Sequence, residues 1–216
     1  MYPEHAYTRT ASHDALKKVL SFFSVLWLLS GIGVILGQFV PYSIMMPLMV
    51  VEFVLIIAMI FVRRAKRAGK GLAVTFALIS GITLYPALTY YVGSMGGEIV
   101  LATFISTAVI FAAYGLIGYR MNKNLVGWSS YLFIAVIALA VIMLLGFFIP
   151  FSSTLSLVIS MGAVLLFSLY TVYDFNQIRH QYIEDEDIPF IAIGLYLDFI
   201  NLFLHLLRII NYFNRN

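Results

Sequence analysis

The chain has 216 residues, of which 62% are hydrophobic and only 11% charged, and its mean hydropathy is +0.97. So few charges cannot cover that much apolar side chain in a water-soluble domain, which excludes an ordinary soluble enzyme and points to the lipid bilayer. The net charge of +3 resides in short connections and forms no nucleic-acid-binding surface, and the absence of cysteine excludes disulfides, iron–sulfur clusters and thiol nucleophiles.

A helix needs about 20 mostly apolar residues to cross a bilayer. In chain order, seven stretches qualify: 18–39, 43–62, 71–92, 97–118, 127–148, 153–177 and 188–210. None alternates as a barrel strand would. Backbone groups in lipid must be bonded within their own segment, so the fold class is an all-α integral membrane protein. The short linkers predict a single seven-helix transmembrane domain over residues 1–216. The first apolar run is too long for a signal peptide, and no cleaved leader is expected. Within the first helix, Gly33 and Gly37 form a GxxxG that predicts a close-packing face. Pro86 predicts a kink in the third. Tyr90, Tyr91, Trp128, Phe147 and Phe148 read as interfacial anchors.

Basic residues mark one side of the membrane. Arg9, Lys17 and Lys18 precede or open the first helix; Arg63, Arg64, Lys66, Arg67 and Lys70 fill the second connection; Arg120 and Lys123 flank the fourth. The first, third and fifth connections hold no lysine or arginine, so the N-terminus is expected in the cytoplasm and the C-terminus outside. The sixth connection contains an acidic run, EDED (184–187), which lacks the DxDxDG spacing of a calcium loop and reads as a solvated turn.

Ionisable residues inside the spans are few: Glu52, Asp174, Asp198, His205 and, near an end, Arg208. Such residues are costly in hydrocarbon and are functional candidates by default. Asp174 and Asp198 are equidistant from residue 186. A hairpin of the last two helices turning there sets both carboxylates at similar depth, on the order of 15 Å from the boundary. Asp198, Asn201, His205 and Arg208 make one polar stripe on the last helix; Ser168, Thr171, Asp174 and Gln177 make another on the sixth. Two carboxylates held close in a low-dielectric site share a proton and titrate as a unit, which makes a pH sensor. Glu52 supplies a third acid, and Arg63 is a cation in reach of an ionised Asp174. Oxygen ligands without thiolate suit a hard cation such as calcium, with Asp174, Asp198 and Glu52 as transient ligands. His205 reads chiefly as a core histidine, and Asn201, His205 and Arg208 as polar support along an ion path.

The segments FSLYTVYDFNQI (167–178) and LYLDFINLFLHLLRI (195–209) resemble the signature of the Bax-inhibitor-motif transmembrane family. GQFVP (37–41), VVEFVLII (50–57), the RRAKR connection and SGITLYP (80–86) fit as well, so the resemblance spans the chain. It is nearest to small bacterial members that act as pH-dependent calcium-leak proteins. The resemblance implies two three-helix layers around a central C-terminal helix. It also implies a proton-sharing pair, here Asp174 and Asp198, a latch at Arg63 and a buried acid at Glu52. Membership further implies a plasma-membrane location. The long basic tail of animal members has no counterpart, so their tail-dependent partnerships are not expected.

The expected function is therefore a passive calcium leak without enzymatic activity and without a tightly bound cofactor. The Asp174–Asp198 pair gates it, with calcium and protons as its ions and membrane lipids around a monomer or small homo-oligomer. A proton-coupled calcium exchanger would use the same carboxylates. An accessory protein acting on a membrane protease or another partner would not need them. An intramembrane hydrolase is disfavoured, because His205 alone cannot build a multi-histidine zinc site.

Overall fold

The structure is a computed structural model that describes residues 4–65 and 69–215; the side chains of 4–11, 60–65 and 147 lie outside it. Seven α-helices follow in order: α1 Glu4–Gly37, α2 Tyr42–Ala65, α3 Gly69–Met95, α4 Gly97–Arg120, α5 Ser129–Phe148, α6 Ser153–His180 and α7 Ile188–Arg215. A short 3-10 turn, Val126–Trp128, precedes α5, and no strand occurs among the described residues. Each helix carries a stretch long and apolar enough to cross a membrane. Each expected span falls on one of these helices; two spans overrun their helix by two residues (18–39 at the end of α1, 127–148 at the start of α5), and several helices run on beyond their span. α1 begins at Glu4, α6 continues to His180 and α7 to Arg215. Hydropathy reports the hydrocarbon zone, whereas backbone hydrogen bonding carries a helix on into water.

The chain divides into two compact units, one formed by residues up to Tyr90 with Gln181–Tyr196, the other by Tyr91–His180 with the residues from Leu197 onward. α1–α3 and α4–α6 are thus the two three-helix sets, and α7 contributes residues to each.

In the first unit, small residues let α1 and α3 approach backbone to backbone. A Cβ placed on Gly33 would meet Leu78 O and lie 2.9 Å from the Gly81 Cα, and one on Gly81 would strike Ser30 O. A Cβ on Gly37 would lie 2.6 Å from the Tyr85 Cβ and 3.0 Å from Ile82 O. Ile82 O is the carbonyl that Pro86, lacking an N–H, leaves without its usual helical donor. The GxxxG expectation holds. Tyr196 of α7 is fully buried in this unit, stacking near Trp27 and edge-on to Phe76, with its hydroxyl donating to Ser30 Oγ at 2.8 Å.

In the second unit α4 and α6 pack as closely. A Cβ on Gly118 would strike Val172 O, and one on Gly115 would lie 2.9 Å from the Phe175 ring. Phe104, Phe111, Phe175, Phe199 and Phe203 form a chain of edge-to-face and tilted contacts with centroids 5.4–5.7 Å apart. Thr103, Thr107, Ser160 and Thr171 return their hydroxyls to the carbonyl four residues earlier, which satisfies each donor inside its own helix. α3 and α4 are joined by Gly96 alone, at φ +89°, a conformation that an L side chain rarely adopts.

Burial separates the helices by role. In its most apolar window, 61% of α7 is buried, against 11% of α2 and 6% of α5. The last two therefore offer most of their side chains to lipid. Of the anchors expected at the interface, Tyr90, Trp128 and Phe148 are exposed, whereas Tyr91 is buried; Phe147 lies outside the described side chains.

A carboxylate pair as candidate functional site

The loop between α6 and α7 occupies 181–187, so Asp174 lies six residues before the end of α6 and Asp198 ten residues after the start of α7. At the helical rise these are depths of about 9 Å and about 15 Å, a little shallower for Asp174 than the spacing alone suggested. Both belong to the second unit. Asp198 is buried, and its Oδ2 has no hydrogen-bond partner. Asp174 is half-buried and is the ionisable neighbour whose charge acts on Asp198. Tyr170 lies in the electrostatic reach of both carboxylates. The sequence reading passed over Tyr170, although its place one helical turn before Asp174 on α6 was the available signal. Phe199, next to Asp198 in α7, joins the aromatic chain that packs against Phe104 and Phe111 of α4.

The two polar stripes face inward as expected. Ser168, Thr171 and Gln177 are buried on α6. On α7, Asn201 donates to Leu197 O of its own helix at 2.8 Å. His205 is buried and stacked on Phe167 at 6.3 Å, with Nδ1 lacking a partner, so it is neither a fully satisfied core histidine nor part of a ligand cluster. Arg208 is half-buried and lines a cleft in the same unit. Asn211, one turn on, is a further buried residue whose Oδ1 lacks a partner.

Glu52 sits in the first unit and accepts a hydrogen bond from Thr83 Oγ1 at 2.7 Å. Among the described residues no group of three or more His, Cys, Asp or Glu side chains is arranged to hold a metal ion. Asp174, Asp198 and Glu52 are therefore a pair and a separate acid, not a three-carboxylate cage. The side chain of Arg63, expected as a latch, lies outside the described residues.

A second polar cluster, absent from the sequence reading, closes the end of α6. The fully buried Asn176 accepts from Leu125 N at 2.9 Å and donates to Lys123 O at 3.0 Å and Gly118 O at 3.2 Å. Arg179 donates to Tyr119 O at 3.0 Å and to Asn122 Oδ1 at 2.9 Å. His180 sets Nδ1 2.9 Å from Asn176 O and Nε2 3.2 Å from Asn122 O. Only the doubly protonated ring donates to both carbonyls. The α4–α5 connection is thereby tied to α6 within two turns of Asp174.

In each unit the even-numbered connections gather at one end. Lys18 bonds Asp185 at 2.6 Å in the first, and Gly69 packs against the Phe190 ring there. The α4–α5 connection meets the end of α6 in the second. This is the alternation that seven successive crossings require.

Comparison with known proteins places this geometry in context. Residues 12–215 match the family described as inhibitor of apoptosis-promoting Bax1. An uncharacterized protein of Campylobacter jejuni is 33% identical over 211 residues, covering 92% of this chain and 88% of that protein. An uncharacterized membrane protein of Streptococcus pyogenes is 30% identical over 220 residues, covering 90% and 93%. An uncharacterized protein of Deinococcus radiodurans is 34% identical over 178 residues, covering 78% and 75%.

Proposed function

We infer, from the premise that this chain belongs to the Bax inhibitor-1 family of membrane proteins, that it is a passive, pH-dependent calcium-leak protein gated by Asp174 and Asp198. The observation that carries the reading is the buried Asp198, with one carboxylate oxygen unbonded and a second carboxylate acting on it, inside a membrane-crossing helix. The unbonded oxygen is available to a proton, a water or a passing cation.

Two carboxylates so placed cannot both be ionised cheaply, and a proton held between them relieves the repulsion. The charge of the pair then follows the pH on the side that reaches it, and the charge selects between two populations of the helices that carry it. His205, Asn201 and Arg208 continue the polar stripe of α7 beyond the pair. A leak runs down its gradient and needs neither nucleotide nor resident metal; calcium is cargo.

The same reading sets the protein in a bacterial plasma membrane with the even connections in the cytoplasm. Their lysines and arginines support that orientation. The test is calcium entry into dye-loaded proteoliposomes for wild type and the Asp174→Asn, Asp198→Asn double variant. Flux in the wild type with its pH dependence lost in the variant supports the assignment. No flux above empty liposomes would transfer the weight to an accessory protein acting through a partner.

A further inference from the structure

The cleft lined by Arg208 has a role that the carboxylate pair does not use. It has a volume of about 300 Å³ and is bounded by Met143 and Gly146 of α5, Phe151 of the α5–α6 connection, Ser156 and Ile159 of α6, and Arg208 of α7. All six residues belong to the second unit. The cleft lies at the end where α5 stops and α6 starts, opposite the end clasped by Asn176 and His180.

Arg208 is half-buried within a membrane-crossing segment, and no carboxylate among the described residues pairs with it. A cation in a membrane-crossing segment is costly, though less so towards a helix end than at its middle, and a counter-anion removes much of that cost. The remaining walls are a thioether, an aromatic ring, a branched aliphatic chain and a glycine, with one hydroxyl. A soluble anion gains nothing from such walls. A molecule with a phosphate beside hydrocarbon chains gains from both, and guanidinium is suited to phosphate oxygens in a forked geometry.

We propose that this cleft is a binding site for an anionic phospholipid, with the phosphate on Arg208, the Ser156 hydroxyl beside it, and the acyl chains along Met143, Phe151 and Ile159. The site lies further along the polar stripe of α7 than the carboxylate pair. Its occupancy is nevertheless felt near the path, because the charge of Arg208 acts on His205 one turn away.

Native mass spectrometry of the purified full chain tests the assignment. Detergent-solubilised protein is titrated with phosphatidylglycerol, phosphatidylcholine or inorganic phosphate. The variants are Arg208→Gln, Arg208→Lys and Ser156→Phe, the last filling the cleft while leaving the arginine in place. The expected result is about tenfold preference of wild type for phosphatidylglycerol over phosphatidylcholine, equivalent to one specific charged contact. Arg208→Gln and Ser156→Phe abolish the preference, and Arg208→Lys retains part of it. Equal retention of the two lipids by wild type overturns the proposal, as does an unchanged preference in Arg208→Gln. Displacement of phosphatidylglycerol by millimolar inorganic phosphate would also overturn it, marking the site as one for a free anion. Circular dichroism of each variant separates loss of the site from loss of the fold.

Discussion

A carboxylate in the hydrocarbon zone persists only with a proton, a partner or water, and Asp198 shows how the choice is kept open. Phe199 beside it on α7 packs against aromatic rings of α4, and one of the Asp198 oxygens is unbonded. Asp174 and Asp198 were legible from spacing alone, because an ionisable residue in an apolar run stands out and the hairpin fixes their depth. Asn176 was not, since an asparagine near a helix end is usually solvated and its three partners lie more than fifty residues away in sequence. Replacing it with alanine leaves the buried Gly118 carbonyl and Leu125 amide, and the part-buried Lys123 carbonyl, without this partner. A loss of about 2–4 kcal/mol is expected in reversible unfolding, since each buried orphan costs about 1–3 kcal/mol. An effect below that range would show that water replaces the side chain. Thr83→Val leaves Glu52 without its donor, and a smaller loss of about 1–2 kcal/mol is expected, Glu52 being only half-buried.

Helix positions follow from apolar length, which is why each of the seven expected spans falls on one helix, while α1 starts well before its span and α6 and α7 run on beyond theirs. Lateral packing was visible only where glycine marked it. The Gly33 and Gly37 face was readable on α1, but Gly81, Gly115 and Gly118 acquire meaning only when the opposing Ser30, Phe175 and Val172 are in place. Gly81→Val and Gly118→Val therefore force backbones apart, each with a predicted loss of about 1–3 kcal/mol or failure to fold, read as lower thermal stability. Gly31→Ala, with open space at its Cβ, serves as the control and is expected to be neutral. The Lys18–Asp185 pair joins α1 to the α6–α7 connection at the surface. The lysine hydrogen bond and charge hold the Asp185 carboxyl below its usual range. A lowered folded-state value means that the contribution is present above the ordinary carboxylate pKa and fades as pH falls through the lowered one. Both groups lie exposed at the surface, so the effect is small and screened. Thermal melts at falling pH should lose this slight dependence in Lys18→Met, and an identical acid response in wild type and variant would show the pair contributes nothing.

For the whole molecule, composition alone required a membrane, and the alternation of basic connections matches the ends at which the even connections gather. The sequence pointed to the proposed function through its carboxylates and its family likeness, and the structure adds the burial of Asp198 and its unbonded oxygen. A passive leak governed by one titrating pair makes a demand that an exchanger or an accessory protein does not. Its calcium flux must run down the gradient without counter-transport, and its pH dependence must reside in two residues. Calcium entry into dye-loaded proteoliposomes at mildly acidic and mildly alkaline pH, wild type against the Asp174→Asn, Asp198→Asn double variant, measures the second of these directly. The account predicts a wild-type flux that differs between the two pH values and a variant flux that is the same at both. A folded variant that keeps the wild-type pH response would contradict it.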